Sequence, residues 1–202
     1  MNPTVEAREP ITASSGKAAA MMLGATGFAA FGFFAGDAEG TTARLVANGA
    51  GIAAVSLVLI GILAFRSRHR AESGRGGHWG LGLLVAGLIC TAAGCLVNAA
   101  GPMLPEDAAA GFAFAAIPAW SLSHLIYIGA TVLGIACLRR RTVPRPLAVL
   151  LTASLPLLIV GVLLGTTLSG AASHTVTWIA TEGQAGAAWF LIATRLRARP
   201  GI

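Results

Sequence analysis

Charge is what this chain is shortest of. Only 11% of its 202 residues are Asp, Glu, Lys or Arg, against about 25% in a typical soluble domain. A water-soluble fold of this length could bury a core, but it would have too little polar surface to cover that core. Cysteine is scarce as well. Cys90, Cys95 and Cys137 are the three present, and no Cys-x-x-Cys or Cys/His spacing for zinc occurs. Cys90 and Cys95 lie about 140° apart around a helix, so they read as small apolar packing residues. Walker, Rossmann and HExxH sequences are absent. So are the short alternating segments that a β-barrel requires. No cofactor, no metal and no catalytic residue is expected.

What the chain has is apolar length. Hydrophobic residues make up 55% of it, and the mean hydropathy is +0.76. A helix needs about 20 apolar residues to cross about 30 Å of hydrocarbon. Six stretches qualify, at about 18–36, 43–65, 79–101, 117–138, 146–168 and 173–194, each bounded by charges, Pro or Gly. The expected fold class is therefore all-α: a polytopic membrane protein with a six-transmembrane-helix bundle over 17–196. Residues 1–16 are polar with no periodicity and read as a disordered tail, and 197–202 as a second short tail. No residues are left over for a soluble catalytic domain.

The net charge of +6 invites a nucleic-acid reading, but its distribution argues otherwise. Of the 14 Lys and Arg, all but Arg44 fall in the tails or after the second, fourth and sixth stretches. Alternate loops rich in Lys and Arg are the mark of the cytoplasmic side, which puts both termini in the cytoplasm. Nucleic acid is not expected as a partner, because no folded module remains to present these charges; the lipid bilayer is. Lys17 and the apolar run after it resemble a signal peptide, but Glu6 and Glu9 before them argue against cleavage.

The loops are short. "RSRHRAESGRGGH" (66–78) reads as a mobile cytoplasmic segment. The longest external one, 101–120, holds either a short interfacial helix or an early start to the fourth span. Small residues abound, with 26 Gly. Gly32 with Gly36, and Gly161 with Gly165, form small-xxx-small patterns that let helices approach closely. They suit packing within the bundle, or contact with a second copy or a larger membrane complex. Pro156 should kink the fifth helix, with neighbouring helices satisfying the freed carbonyl. The four Trp read first as interfacial anchors.

Polar residues inside the spans are the candidates for function. With a rise of about 1.5 Å per residue, Glu182 lies about 14 Å and His124 about 10 Å from the outer surface; Asn48 lies about 7 Å and Asn98 about 4 Å deep. Four helices thus place a polar group in the outer half, and the inner half has almost none. His174, Trp178, Glu182 and Gly186 share one face, which must turn inward because a charge at the centre of a lipid-facing helix costs roughly 2.5–3.5 kcal/mol. Glu182 and His124 are at compatible depths, so they could form a proton relay or cation site, or a structural clasp. A bis-His haem is not expected, since His124 and His174 differ in depth. Ser121 and His124 lack a hydrolase context.

The segment "GATVLGIACLRRRTVPRPLAVLLTASLPLLIVGVLLG", followed by "GQAGAAWFLIATRLR", resembles the second half of small multi-pass proteins common in high-GC bacteria. These proteins are mostly uncharacterised. The resemblance covers about 128–197, implies a bacterial cytoplasmic (inner) membrane protein, and assigns no catalytic residue. The expectation is small-solute or proton binding or permeation through a polar cavity in the outer half, with Glu182, His124, Asn48 and Asn98 as the polar cluster. The alternative is a non-catalytic accessory or structural subunit, in which these residues are clasps.

Overall fold

The structure, a computed structural model, describes residues 11–35 and 40–197, and every element among them is helical. The α-helices are α1 (Ile11–Phe34), α2 (Thr41–Arg68), α3 (Arg70–Ala100), α4 (Glu106–Ser123), α5 (Leu125–Arg140), α6 (Arg145–Thr152), α7 (Ser154–Thr167), α8 (Gly170–Trp178) and α9 (Gln184–Arg197). A 3-10 turn, Gly101–Met103, precedes α4. A π-helical turn, Ile179–Gly183, joins α8 to α9.

Four stretches are long and apolar enough to cross a membrane: Ser15–Phe34, Thr41–Arg68, Gly74–Met103 and Gly111–Arg140. The pair α6 and α7 makes a fifth if its 49° bend is counted within one span. Only 28–44% of the most apolar window of each of the four is buried. The remaining apolar surface faces outward, as Leu23 and Leu96 do. Large uncovered apolar area of this kind is costly in water and natural in lipid, so the chain is compatible with a multi-pass membrane protein.

α1 packs between α2 and α9; α2 leans on α3, α3 on α4 and α5, α5 on α6, and α7 on α8. Their common core contains Ile62, Phe65, Leu84, Leu88, Leu133, Trp189 and Ile192, all essentially buried. Glycine permits the tightest crossings. A Cβ on Gly80 would come within 2.6 Å of the Leu133 nitrogen, and one on Gly129 within 2.5 Å of the Leu84 nitrogen. One end of the bundle carries the arginines. There Arg68 Nη1 donates to the Leu196 carbonyl at 2.9 Å, and Arg140 Nη1 donates to that of Glu72 at 3.4 Å. Arg44 stands near the opposite end of α2.

Several expected boundaries shift. α1 begins at Ile11, so residues 11–16 of the expected tail are helical, since no proline interrupts the run there. Residues 1–10 and 198–202 lie outside the described part, as does Gly36. The expected mobile segment 66–78 is largely helical: only His69, with φ −107°, separates α2 from α3, and Gly74, with φ 60°, interrupts α3. Of the two readings of the external segment, the early start is the one observed, as α4 begins at Glu106 after Pro105. Trp189 is not an interfacial anchor. It is 1% exposed and packs on Phe28 with ring centroids 4.7 Å apart, because α9 is covered on one side by α1.

Gly161 and Gly165 are buried, spent within the chain. A Cβ on Gly161 would sit 2.0 Å from that of Ala180, and one on Gly165 would sit 2.3 Å from Thr177 Oγ1. Gly32 faces Glu182.

Candidate functional site

A recess of about 540 Å³ opens at the Arg44 end. Its walls come from the last turn of α1 at Ala35, the first turns of α2 at Arg44 and Asn48, the end of α3 at Asn98, and Pro102 and Ala113 beyond it. The local sequence builds it. Pro102 and Pro105 bracket the turn between α3 and α4, and alanines on α4 keep its facing wall shallow. The volume falls within the range of about 300–1,000 Å³ usual for small-molecule sites.

The polar groups at this recess are unevenly engaged. Asn48 is 7% exposed, and its Nδ2 donates to the Arg44 carbonyl at 2.8 Å, within its own helix. This leaves its other amide hydrogen and its Oδ1 for a guest. Asn98 is exposed and makes no hydrogen bond among the described residues. The Arg44 guanidinium likewise has no hydrogen bond or ion pair there. A permanent cation beside two carboxamides can bind a planar anion through paired N–H donors.

Glu182 lies elsewhere. It belongs to the π-helical turn, and its side chain fills the space that Gly32 leaves on α1. The inward face expected for this helix is present. His174 stacks on Phe33 with centroids 5.1 Å apart, Trp178 Nε1 donates to the Ala29 carbonyl at 2.8 Å, and a Cβ on Gly186 would meet the Ala25 carbonyl at 2.9 Å. The carboxylate of Glu182 is hydrogen-bonded to the adjacent Thr181 hydroxyl. A π turn inserts one residue and is found often at functional positions; here the turn lies between α1 and α7, with Glu182 against α1, and the following helix packs on α1, α2 and α6.

The expected pairing of Glu182 with His124 is not formed, and no hydrogen bond or ion pair joins them. His124 is exposed, at the break between α4 and α5. Its Nδ1 lies 3.0 Å from the Trp120 carbonyl and 3.2 Å from that of Ser121. Carbonyls only accept, so Nδ1 carries the hydrogen. Depth along the chain was legible, but the rotation of α4 was not, and that rotation carries the ring to the outside.

Tyr127 on α5 was missed; it is 6% exposed and so faces the interior of the bundle. Its ring stands 6.2 Å from that of His124. Gln184 was also missed. It is 6% exposed, its Nε2 donates to the Ser154 carbonyl at 3.0 Å, and its Oε1 is buried with no partner. Both had a signal in the sequence: each is a polar side chain inside an apolar run, and Tyr127 is the single tyrosine of the chain. Of the expected cluster, then, Asn48 and Asn98 share the recess, while Glu182 and His124 stand apart from it and from each other.

Among the described residues no three His, Cys, Asp or Glu side chains converge as metal ligands would. No known family model matches the chain, nor does any curated protein or solved structure.

Proposed function

We propose that the protein is a six-span membrane protein that binds a small anionic solute in the recess formed by Arg44, Asn48 and Asn98. The observation that carries this reading is a guanidinium with no ion pair among the described residues, beside two carboxamides in one recess of about 540 Å³. The sixth span is the helical run from Gly170 to Arg197, in which the π turn interrupts the α-helical pattern. The arginine-rich end is cytoplasmic by the distribution of positive charge, so both termini lie inside and the recess opens outward. The resemblance of residues 128–197 supports a bacterial inner membrane. The protein is read as non-catalytic.

Binding is favoured over an open pore. Below the recess the bundle is closed by Val55, Val58, Ile62, Leu84 and Leu88, each at most 1% exposed. Permeation would need a second conformation. The clasp reading of the expected cluster has less support, because the hydrogen bonds made by Asn48, Glu182 and His124 stay within their own helical runs. Clasps between helices are made instead by other residues, among them Trp178, Gln184, Thr131, Arg68 and Arg140.

The test is a thermal-shift and calorimetric screen of the purified protein against short carboxylates, inorganic phosphate and neutral polyols. The reading expects an anion to bind and polyols not to. It expects Arg44→Gln to weaken that anion by about tenfold or more, the scale of a lost charge-assisted pair. If no anion binds, or if Arg44→Gln binds as well as the parent, the reading fails.

A further inference from the structure

A second recess, of about 690 Å³, lies at the arginine end between α3 and α5. Its rim carries Arg75, Arg139 and Arg140, and its wall is Val132, Ile135 and Ala136. On α5 these residues follow i, i+3, i+4, i+7, i+8 spacing from Val132, so they form one stripe along the helix. The stripe is apolar toward the middle of the bundle and cationic at its end. Ile135, Arg139 and Arg140 are exposed, so the stripe faces outward.

Gly74 shapes the upper edge. Its φ of 60° breaks α3, and a Cβ there would lie 2.4 Å from the Arg140 guanidinium. The break thus lets Arg140 fold in against the α3 backbone, where it donates to the Glu72 carbonyl. The nearest acid among the described residues is turned away, for Glu72 Oε2 lies 3.1 Å from His69 Nδ1. Arg75 and Arg139 have no ion pair there. Three guanidinium groups around one hollow with no carboxylate among them repel one another unless an anion sits between them.

We propose that this recess holds an anionic phospholipid, with its phosphodiester between Arg75, Arg139 and Arg140 and an acyl chain along Val132, Ile135 and Ala136. Arginine forks match phosphate oxygens bidentately, and basic hollows between membrane helices on the cytoplasmic side suit anionic headgroups. The apolar stripe running away from the cations selects a lipid over free phosphate, since only a lipid fills both parts. The inference rests on the reading of the chain as a multi-pass membrane protein.

The experiment uses the full chain in vesicles and nanodiscs of phosphatidylcholine with a minor share of phosphatidylglycerol, and counts retained lipids by native mass spectrometry. The expected result is that the parent retains phosphatidylglycerol over phosphatidylcholine, and that R75Q/R139Q/R140Q lowers this preference by more than about tenfold. The control R66Q/R145Q/R197Q removes the same charge from the same end, outside the recess, and should keep the preference. Equal retention of both lipids by the parent overturns the proposal. So does an equal loss in the control, which would mean diffuse surface attraction. Full displacement by inorganic phosphate would overturn the role of the acyl wall. A chain that fails to enter vesicles at all would instead overturn the multi-pass reading beneath it.

Discussion

Thr131 on α5 supplies the hydrogen that Pro156 on α7 lacks. A non-proline residue at 156 would donate its amide hydrogen to the Thr152 carbonyl, four residues back. In the structure the Thr131 hydroxyl donates to that carbonyl at 3.3 Å and accepts from the Leu155 amide at 3.0 Å. One side chain from a neighbouring helix thus satisfies a carbonyl and an amide at the 49° bend between α6 and α7. Gly134 lets it reach them, since a Cβ there would lie 2.4 Å from the Thr152 nitrogen.

Thr131→Val should therefore destabilise the bundle by about 2 kcal/mol, because it strands backbone groups in an apolar setting at about 1–3 kcal/mol each. In a Pro156→Ala background the restored amide can serve the Thr152 carbonyl, and the same substitution should cost about 1 kcal/mol less. Unfolding in mixed detergent micelles measures both. An equal cost in the two backgrounds would show that Thr131 does not act through the proline site.

Gly161→Ala should lower stability without changing the oligomeric state. The added Cβ would meet Ala180 at 2.0 Å, and overpacking of this kind costs about 1–3 kcal/mol. Ala180→Gly should restore most of the loss. Chemical crosslinking and size-exclusion chromatography with light scattering read the assembly. A change in oligomer size with stability unchanged would place Gly161 between chains instead of within one.

Much of this architecture could be read before any coordinates. Apolar length marks the helices, and Pro156 marks the bend with its need for an outside donor. Position along a helix put Asn48, Asn98, His124 and Glu182 in one expected cluster, of which the recess holds Asn48 and Asn98. What was not legible is rotation about the helix axis. The fourth stretch is apolar nearly all round, so nothing in its pattern says which way His124 turns. The π turn at Ile179–Gly183 leaves no sequence signal either, yet it sets the faces of Glu182 and Gln184. Gly129 was passed over because it belongs to no four-residue glycine pair, and Gly80, although paired with Gly76, because it stands at the head of its apolar stretch; yet a Cβ on either would clash with the facing helix backbone.

Two clasps should respond unequally to apolar replacement. Trp178→Phe removes the donor to the Ala29 carbonyl and should cost about 1 kcal/mol, a typical net hydrogen bond. Gln184→Met removes the bonds to the Ser154 and Ala180 carbonyls, but it also removes the unsatisfied Oε1. The lost donor costs about 1 kcal/mol, while removing the stranded Oε1 recovers a similar amount, so its change should stay under about 0.5 kcal/mol. A large loss at Gln184 would mean that its Oε1 has a partner in the membrane, a water or a bound solute.

Glu182 gives the sharpest separation between the expected partner and the observed one. If it worked with His124, the substitutions Glu182→Gln and His124→Ala would couple. The structure sets them on different surfaces with no bond between them, so their effects on stability should add to within about 0.5 kcal/mol, as for independent sites. Glu182→Gln and Thr181→Val should not add, because the Thr181 hydroxyl donates to the Glu182 carboxylate; a coupling of about 0.5 kcal/mol or more is expected for groups in one interaction. Arg44→Gln should be additive with Glu182→Gln, since the recess and the π turn share no side-chain contact among the described residues. Four-variant cycles by detergent unfolding measure each coupling. Coupling of Glu182 to His124 but not to Thr181 would return the pair to the centre of the mechanism and require a rotation of α4 that this structure does not have.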